Sequence, residues 1–183
     1  MPDSEGPFTR VAEAGRQVAD SLKGPSDAEA HSYLLKVVQP ALLGLMDGSI
    51  STLAPLFASA FATRNPHTAF LVGGAAAVGA GISMGFAEAL SDTGKLTGRG
   101  HPGIRGTITG VATLIGGVLH ALPFLIPHLA LALVVAYAVV GLELIAIALI
   151  RFRYFQMNFW LSFLQVVVGG GLVFLAGVLI GKS

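Results

Sequence analysis

Five long apolar runs constrain this chain more than any other feature of its sequence. They cover most of the chain beyond residue 33 and are separated by short polar turns. A helix needs about 20 apolar residues to cross the roughly 30 Å hydrocarbon core of a bilayer. The runs occupy residues 34–63, 67–91, 104–124, 128–150 and 157–180. The sequence therefore predicts an all-α integral membrane protein with five transmembrane helices.

Composition argues against most soluble activities. Charged residues make up only 11% of the 183 residues, whereas roughly 25% of the residues in soluble domains are charged. The chain contains no Cys, which excludes disulfides, thiolate metal sites and thiol nucleophiles. The glycine-rich stretch 91–103 follows no strand and lacks the GxxxxGK spacing of a phosphate-binding loop. We expect no enzyme activity, no permanently bound cofactor and no nucleic-acid partner.

Residues 1–33 form a polar segment ahead of the membrane domain, which we place at residues 34–183. Apolar residues recur at near-helical spacing over residues 8–23, which suits a short amphipathic helix on the membrane surface. A partly ordered tail explains this pattern equally well. Ser26 and Glu29 have the spacing of a capping box, which predicts the start of the next helix.

Basic residues predict the orientation of the spans. Lys and Arg concentrate on the cytoplasmic side of membrane proteins. With the N-terminus inside, nine of the 11 Lys and Arg residues lie on the inner side, and only Arg64 and Lys182 lie outside. This bias predicts a cytoplasmic N-terminus, an external C-terminus and an odd number of spans. Arg151, Arg153 and Trp160 then form an interfacial anchor at the inner turn between the fourth and fifth spans.

Asp47 is the most unusual residue of the first span, because it lies about halfway along an apolar run. A carboxylate at that depth is costly unless it faces a cavity, a partner or an ion path. Gly44 and Gly48 flank it and allow another helix to approach closely, and Pro40 predicts a kink. The alternative is a packing role, in which Asp47 bonds to a neighbouring serine or backbone group.

The second span places Met84 and Glu88 four residues apart, on one face of a helix. Met84 alone is typical of core packing, but a thioether beside carboxylates favours a softer transition metal such as Fe²⁺ over Mg²⁺ or Ca²⁺. At roughly 1.5 Å per residue, Asp47, Met84 and Glu88 lie within about 10 Å in depth. We expect these three to converge on one metal pathway, with Ser83 as a weaker candidate. Carboxylates that release a metal take up protons, which suits proton-coupled transport.

Glu143 in the fourth span is a third intramembrane acid and a weaker candidate for the metal pathway. A structural hydrogen bond, or an ion pair with Arg151 or Arg153, explains it equally well. His120 and His128 lie near the outer ends of their spans and could serve as exit ligands. A simple interfacial position is the favoured interpretation of both.

Two motifs together resemble the vacuolar iron transporter family. They are Gly44-x-x-Asp47-Gly48 in the first span and Ser83-Met84-x-x-x-Glu88-x-x-Ser91 in the second. From about residue 42 onwards, the chain is most similar to the membrane domain of the bacterial membrane-bound ferritin-like iron exporters of that family.

This resemblance implies a homodimer of five-helix protomers, in a bacterial inner membrane, that exports Fe²⁺ and in some members Mn²⁺ in exchange for protons. It makes Asp47 and Met84 pathway ligands near the dimer interface and matches Glu88 to a family acid. Two departures stand out. Pro40 stands where many members of the family have an Asp. The sequence also shows neither the acidic helical domain that members carry between the second and third spans nor the N-terminal ferritin-like domain. Besides membrane lipid, a separate cytosolic iron-storage or metal-delivery protein is therefore an expected partner.

Two hypotheses of different classes follow. In the first, the protein exports a divalent transition metal from the cytosol in exchange for protons. In the second, it is a non-transporting membrane subunit or scaffold whose intramembrane acids only hold helices together.

Overall fold

A computed structural model describes residues 26–183 of the chain. Two units are distinguished, Met1–Tyr33 and Leu34–Ser183. The amphipathic helix predicted over residues 8–23 lies outside the described residues. In the first unit, Ser26 precedes helix α1 (Asp27–Tyr33). Its backbone N–H donates to Oε2 of Glu29 at 2.9 Å, and the Glu29 N–H donates to the Ser26 Oγ at 3.3 Å. The predicted capping box is thus formed.

The second unit is built of helices, five of which are long and apolar enough to cross a membrane. This confirms the predicted all-α architecture and the number of apolar helices. A π-helix (Leu34–Val38) leads into α2 (Gln39–Thr63), followed by α3 (Pro66–Ser91), α4 (Pro102–Ala121) with a terminal 3₁₀ turn (Leu122–Leu125), α5 (Leu129–Phe155) and α6 (Phe159–Lys182).

Short turns between the helices are fixed by specific residues. Arg64 ends α2 in the left-handed conformation, and the Asn65 side chain caps α3 by accepting from the Thr68 N–H. Gln156 and Asn158 do the same for the turn between α5 and α6. Because these turns contain only two or three residues, α2 with α3 and α5 with α6 form antiparallel hairpins.

Pro40 distorts the start of α2, as its position predicts. Proline has no backbone N–H and cannot bond to the carbonyl group four residues earlier, which here belongs to Lys36. The chain takes the wider π-helical turn over Leu34–Val38 directly before this point. The Pro40 carbonyl group accepts a hydrogen bond from Thr109 Oγ1 of α4 at 3.2 Å, which links this part of α2 to α4.

Glycines bring α2 and α4 into very close contact. A Cβ atom at Gly44 would lie 2.2 Å from the Thr109 carbonyl oxygen, and one at Gly48 would lie 2.0 Å from that of Thr113. The two contacts are separated by four residues in each helix, so α2 and α4 run parallel. Small residues of this kind let membrane helices pack backbone against backbone.

A stripe of small residues on α3 packs against α4. Gly73, Ala77 and Gly81 are buried, and a Cβ at Gly85 would lie 3.1 Å from the Gly106 carbonyl oxygen. Three helices, α2, α3 and α4, thus form the tightly packed part of the unit. The α6 helix joins them along the second half of α2.

Aromatic side chains fill the core between α2, α5 and α6. Phe57 is fully buried. Its ring centroid lies 4.8 Å from that of Phe174 and 6.0 Å from that of Phe124, both in edge-to-face geometry. Such pairs add to the stability gained from packing alone.

The close approach of α2 and α4 predicts the effect of a single methyl group. We expect Gly48→Ala to lower the free energy of unfolding by about 1–3 kcal/mol or more, because the new Cβ overlaps the Thr113 backbone. The measurement is thermal or denaturant unfolding in detergent. Gly79→Ala is the matched control, since a Cβ at Gly79 meets no atom within 4 Å. Equal unfolding of both variants would contradict the contact.

Candidate functional site

Glu88 lies in an ion-pair cluster where the loop between α3 and α4 meets both helices. Its Oε1 atom accepts a hydrogen bond from Nη2 of Arg99 at 2.8 Å and lies 3.0 Å from Nε of Arg105. Asp92, one turn later, is 3.2 Å from Nη1 of Arg105 and 3.3 Å from Nη1 of Arg99. Two carboxylates and two guanidinium groups therefore balance each other at one end of the helices. We call these four residues the arginine cluster.

Arg105 is the centre of this cluster, because its side chain is only 1% exposed. A buried guanidinium group is stable only when its charge is paired and its donors are bonded. Both acids supply this pairing, and the Asp92 carbonyl oxygen accepts a further bond from Nη2 at 3.4 Å. Arg105 thus ties the start of α4 to the end of α3.

The loop folds back on Asp92. Gly94 and Gly100 have φ values of +75° and +79°, which glycine adopts without strain. The Gly94 N–H and the Thr97 hydroxyl both donate to the Asp92 carboxylate. The hydrogen bond from Arg105 is the main reason why the pKa of Asp92 lies below its usual value, with further contributions from these loop donors.

Glu88 was expected as a metal ligand, and its position in the arginine cluster could not be predicted from the spacing of residues in the sequence. Both of its arginine contacts use Oε1. Its Oε2 forms no hydrogen bond or ion pair within residues 26–183. One oxygen of this carboxylate is therefore held by arginines and the other is not.

Glu143 is part of a second buried network in the middle of the helices. Its Oε1 atom lies 2.6 Å from the Ser49 Oγ of α2, and its Oε2 lies 2.7 Å from Nε2 of His120 of α4. The second contact is close but poorly aligned for a hydrogen bond. Ser49 and His120 are each 1% exposed. We call these three residues the Ser–Glu–His network.

Gly116 makes room for this network. A Cβ atom at this position would lie 3.1 Å from Oε1 of Glu143 and 2.9 Å from the Leu45 carbonyl oxygen. The alternative pairing of Glu143 with an arginine of its own helix does not occur. Arg151 donates instead to the Gln165 side chain of α6 at 2.9 Å.

His120 is the residue that sequence reasoning undervalued. It was expected at the membrane interface, but it is buried against the carboxylate of Glu143. The glycine pair Gly116 and Gly117, one turn before it, was the available signal, because paired glycines on an apolar helix indicate close approach of a neighbour. His128, in contrast, precedes α5 and makes no side-chain cap.

Asp47 differs from both of these acids. It is half-buried on α2, and none of the hydrogen bonds or ion pairs formed within residues 26–183 involves its carboxylate. Gly44 and Gly48, on either side, face α4, whereas Ser49 bonds to Glu143 on α5. Asp47 therefore belongs to neither polar network.

Met84 lies at nearly the same depth as Asp47. Leu56 of α2 packs on Gly73 of α3, and the two helices run antiparallel. Counting the same number of residues along both helices places Leu45 opposite Met84. Asp47 is two residues further along α2, or about 3 Å in depth. Met84 is half-buried like Asp47, whereas Ser83 is exposed.

A complete metal site of conventional ligands is not assembled in the part of the chain that the structure describes. Within residues 26–183, no three His, Cys, Asp or Glu side chains group closely enough to hold a metal ion. Comparisons with protein families, with curated proteins and with solved structures find no match to this chain.

The arginine cluster predicts a strong dependence of stability on Arg105. We expect Arg105→Met to lower the free energy of unfolding by about 3–5 kcal/mol, because it leaves two acids without their buried partner. Adding Glu88→Gln should recover part of this loss. Arg153→Met is the matched control, since that guanidinium group only lies over the Tyr154 ring. A double variant no more stable than the single one would contradict the coupling.

Asp92 predicts a pH dependence of stability. A carboxylate whose pKa is lower in the folded state stabilises the fold above its unfolded pKa, and this contribution disappears as the pH falls through the folded value. We therefore expect Asp92→Asn to have a lower melting temperature than the wild-type protein at about pH 7. The difference in melting temperature should vanish on acidification below about pH 4. Lys95→Gln, in the same loop, should show no such change over this range. A constant gap between the Asp92→Asn and wild-type melting curves would refute the role of the carboxylate.

Proposed function

We propose that this protein is a divalent transition-metal transporter that exports Fe²⁺ from the cytosol in exchange for protons, with Mn²⁺ as a second candidate cargo. The observation that carries the proposal is the state of Asp47. It is an acid in the middle of an apolar helix, and it has no polar partner within the described residues.

The contrast with the other acids is the main argument. Glu88 is held by two arginines and Glu143 by a serine and a histidine. A chain that needed acids only to lock its helices would have no reason to leave Asp47 unpaired, since an intramembrane carboxylate is costly. An acid kept available at mid-depth suits a cation that passes through.

Met84 supports a transition metal as that cation. It shares the depth of Asp47, and a thioether sulfur is a softer ligand than the oxygens that Mg²⁺ and Ca²⁺ prefer. The pairing of these two residues is also the feature that resembles the vacuolar iron transporter family. The same ligand set would admit Co²⁺ and Zn²⁺, so competition has to rank the ions.

Glu88 is suited to the entrance of the path. It lies nearer than Met84 to the basic loop, and one of its carboxylate oxygens is left without a partner among the described residues. The arginines hold this carboxylate in one position, while its Oε2 can meet an arriving cation. The ligand set that we propose is Asp47, Met84 and Glu88. It leaves out the exposed Ser83, and it leaves out Glu143, whose two oxygens lie against Ser49 and His120.

A second copy of the chain completes this proposal. The half-exposed Asp47 carboxylate needs a polar or charged partner in a membrane. In a dimer with a two-fold axis, Asp47 of the second copy would share one cation with it. The basic bias places the N-terminus and the loop 92–101 on the cytosolic side, in a membrane that the family resemblance suggests is a bacterial inner membrane. A cytosolic metal-delivery protein would then meet that loop.

One observation favours the scaffold as a second candidate. Glu88 and Glu143 both hold helices together, as a purely structural role requires. On this view the protein is a membrane subunit without flux of its own, and Asp47 contacts another protein.

Metal flux into proteoliposomes under a pH gradient decides between the two. We expect Fe²⁺ flux that Mn²⁺ competes with, and we expect Asp47→Asn to reduce it at least tenfold or so, since changes even in the residues that support a ligand cost about 10–100-fold. Ser51→Ala, one turn further along the exposed side of α2, is the matched control and should keep full flux.

Two results would count against the proposal. Unchanged flux in a well-folded Asp47→Asn protein would remove Asp47 from the path. A folded wild-type protein that carries none of these ions would favour the scaffold.

A further inference from the structure

The contacts of Ser49 favour a proton on its neighbour Glu143. The Ser49 Oγ lies 2.6 Å from the Leu45 carbonyl oxygen and 2.6 Å from Oε1 of Glu143. A hydroxyl group has one proton to donate, and the carbonyl oxygen can only accept. Both contacts are of ordinary O–H···O length. A single hydroxyl proton shared between two acceptors would weaken both bonds. Both contacts are full two-centre hydrogen bonds only if Ser49 donates to Leu45 and Glu143 donates to Ser49.

The contact of the other oxygen of the same carboxyl group is consistent with this placement of the proton. Oε2 of Glu143 lies 2.7 Å from Nε2 of His120, although the two atoms are not aligned for a hydrogen bond. Two lone pairs this close would repel each other, so one of the two atoms carries a proton. With the acid proton on Oε1, Oε2 is an acceptor, so Nε2 carries the imidazole proton. Nδ1 of His120 is then the unprotonated nitrogen. It is buried and has no hydrogen-bond partner within the described residues.

We infer that Glu143 is held as a carboxylic acid between Ser49 and His120 and that it is the site which carries the counter-transported proton. A neutral acid also suits this depth, because a protonated carboxyl group avoids the cost of an ionised one in the membrane. The proton site is then distinct from the metal ligands.

Other charged groups leave this site undisturbed. Within residues 26–183, His120 is the only His, Lys or Arg side chain within 4 Å of the Glu143 carboxyl group. Other titratable groups of the surrounding helices form no hydrogen bond or ion pair with it among the described residues. They include Asp47 on α2, Glu88 on α3, Arg105 on α4, Tyr137 on α5 and Lys182 on α6.

The network also offers a route for the proton, and here the inference rests on the proposed metal–proton exchange. His120 lies in the last turn of α4, which the basic bias places towards the outside. A proton that arrives on Nδ1 gives an imidazolium, which passes its Nε2 proton to Oε2 after Oε1 has given its own proton to a water molecule. The carboxyl group then turns so that its proton again faces Ser49, and the imidazole proton moves from Nδ1 back to Nε2, before the next cycle. Each cycle adds one proton and removes one. Release occurs beside Ser49, two residues from Asp47.

Infrared spectroscopy of the purified full-length chain in detergent tests the protonation without any transport. We expect the carbonyl stretch of a protonated carboxylic acid at neutral pH, and we expect Glu143→Gln to remove it. Ser49→Ala should keep the band but shift it, because the acid loses its acceptor. Glu29→Gln is the matched control and should leave this band unchanged, since that carboxylate is exposed and bonded to Ser26. A spectrum that neither Glu143→Gln nor Ser49→Ala alters overturns the inference.

Transport tests the coupling separately. In proteoliposomes, Glu143→Gln should retain metal flux and lose the proton counterflow, whereas Asp47→Asn should lose both. Counterflow that persists in Glu143→Gln overturns the coupling role even where the infrared band is lost. A wild-type protein without metal flux overturns the proposed function and the coupling with it, while the infrared result still decides whether Glu143 holds a proton.

Discussion

The close approach of α2 and α4 determines where the polar side chains of this protein lie. In lipid, apolar burial does not draw helices together, so tight packing and polar contacts between helices have to do so. Gly44 and Gly48 provide that packing, because their hydrogen atoms are all that fits against the α4 backbone. With α4 fixed against α2, His120 and Arg105 are both positioned towards acids on neighbouring helices. A larger residue at either glycine would disturb both polar networks at once.

Three acids on three helices have three different electrostatic environments. Glu88 lies against two arginines at the end of the helices. Glu143 lies between a serine and a histidine in the buried interior. Asp47 has neither an arginine partner nor a hydrogen bond to its carboxylate within the described residues. This division suits an exchange of two different cations, because one acid can bind a proton while another is left for a metal.

The sequence predicted the helices well, because apolar runs of sufficient length have few alternatives to spanning a membrane. It also located Pro40 as a point of distortion. The sequence did not predict which side chains the acids contact. Glu143 and Ser49 are 94 residues apart, and no spacing rule connects them. Arg99 and Arg105 were interpreted only as positive charges of an inner loop, because their bonds to Glu88 depend on how the loop folds back.

The loop between α3 and α4 is closed at its base and open at its tip. Arg105 and Asp92 join its two ends, whereas Leu96 at the tip is fully exposed and Gly98 has no atom near its would-be side chain. Lengthening such a loop has a small entropic cost, about 0.6 kcal/mol for each doubling. The base would hold the helix ends in place whatever the tip contained. A folded capture domain could therefore be gained or lost here without repacking the membrane helices, so that metal capture and metal passage can evolve independently.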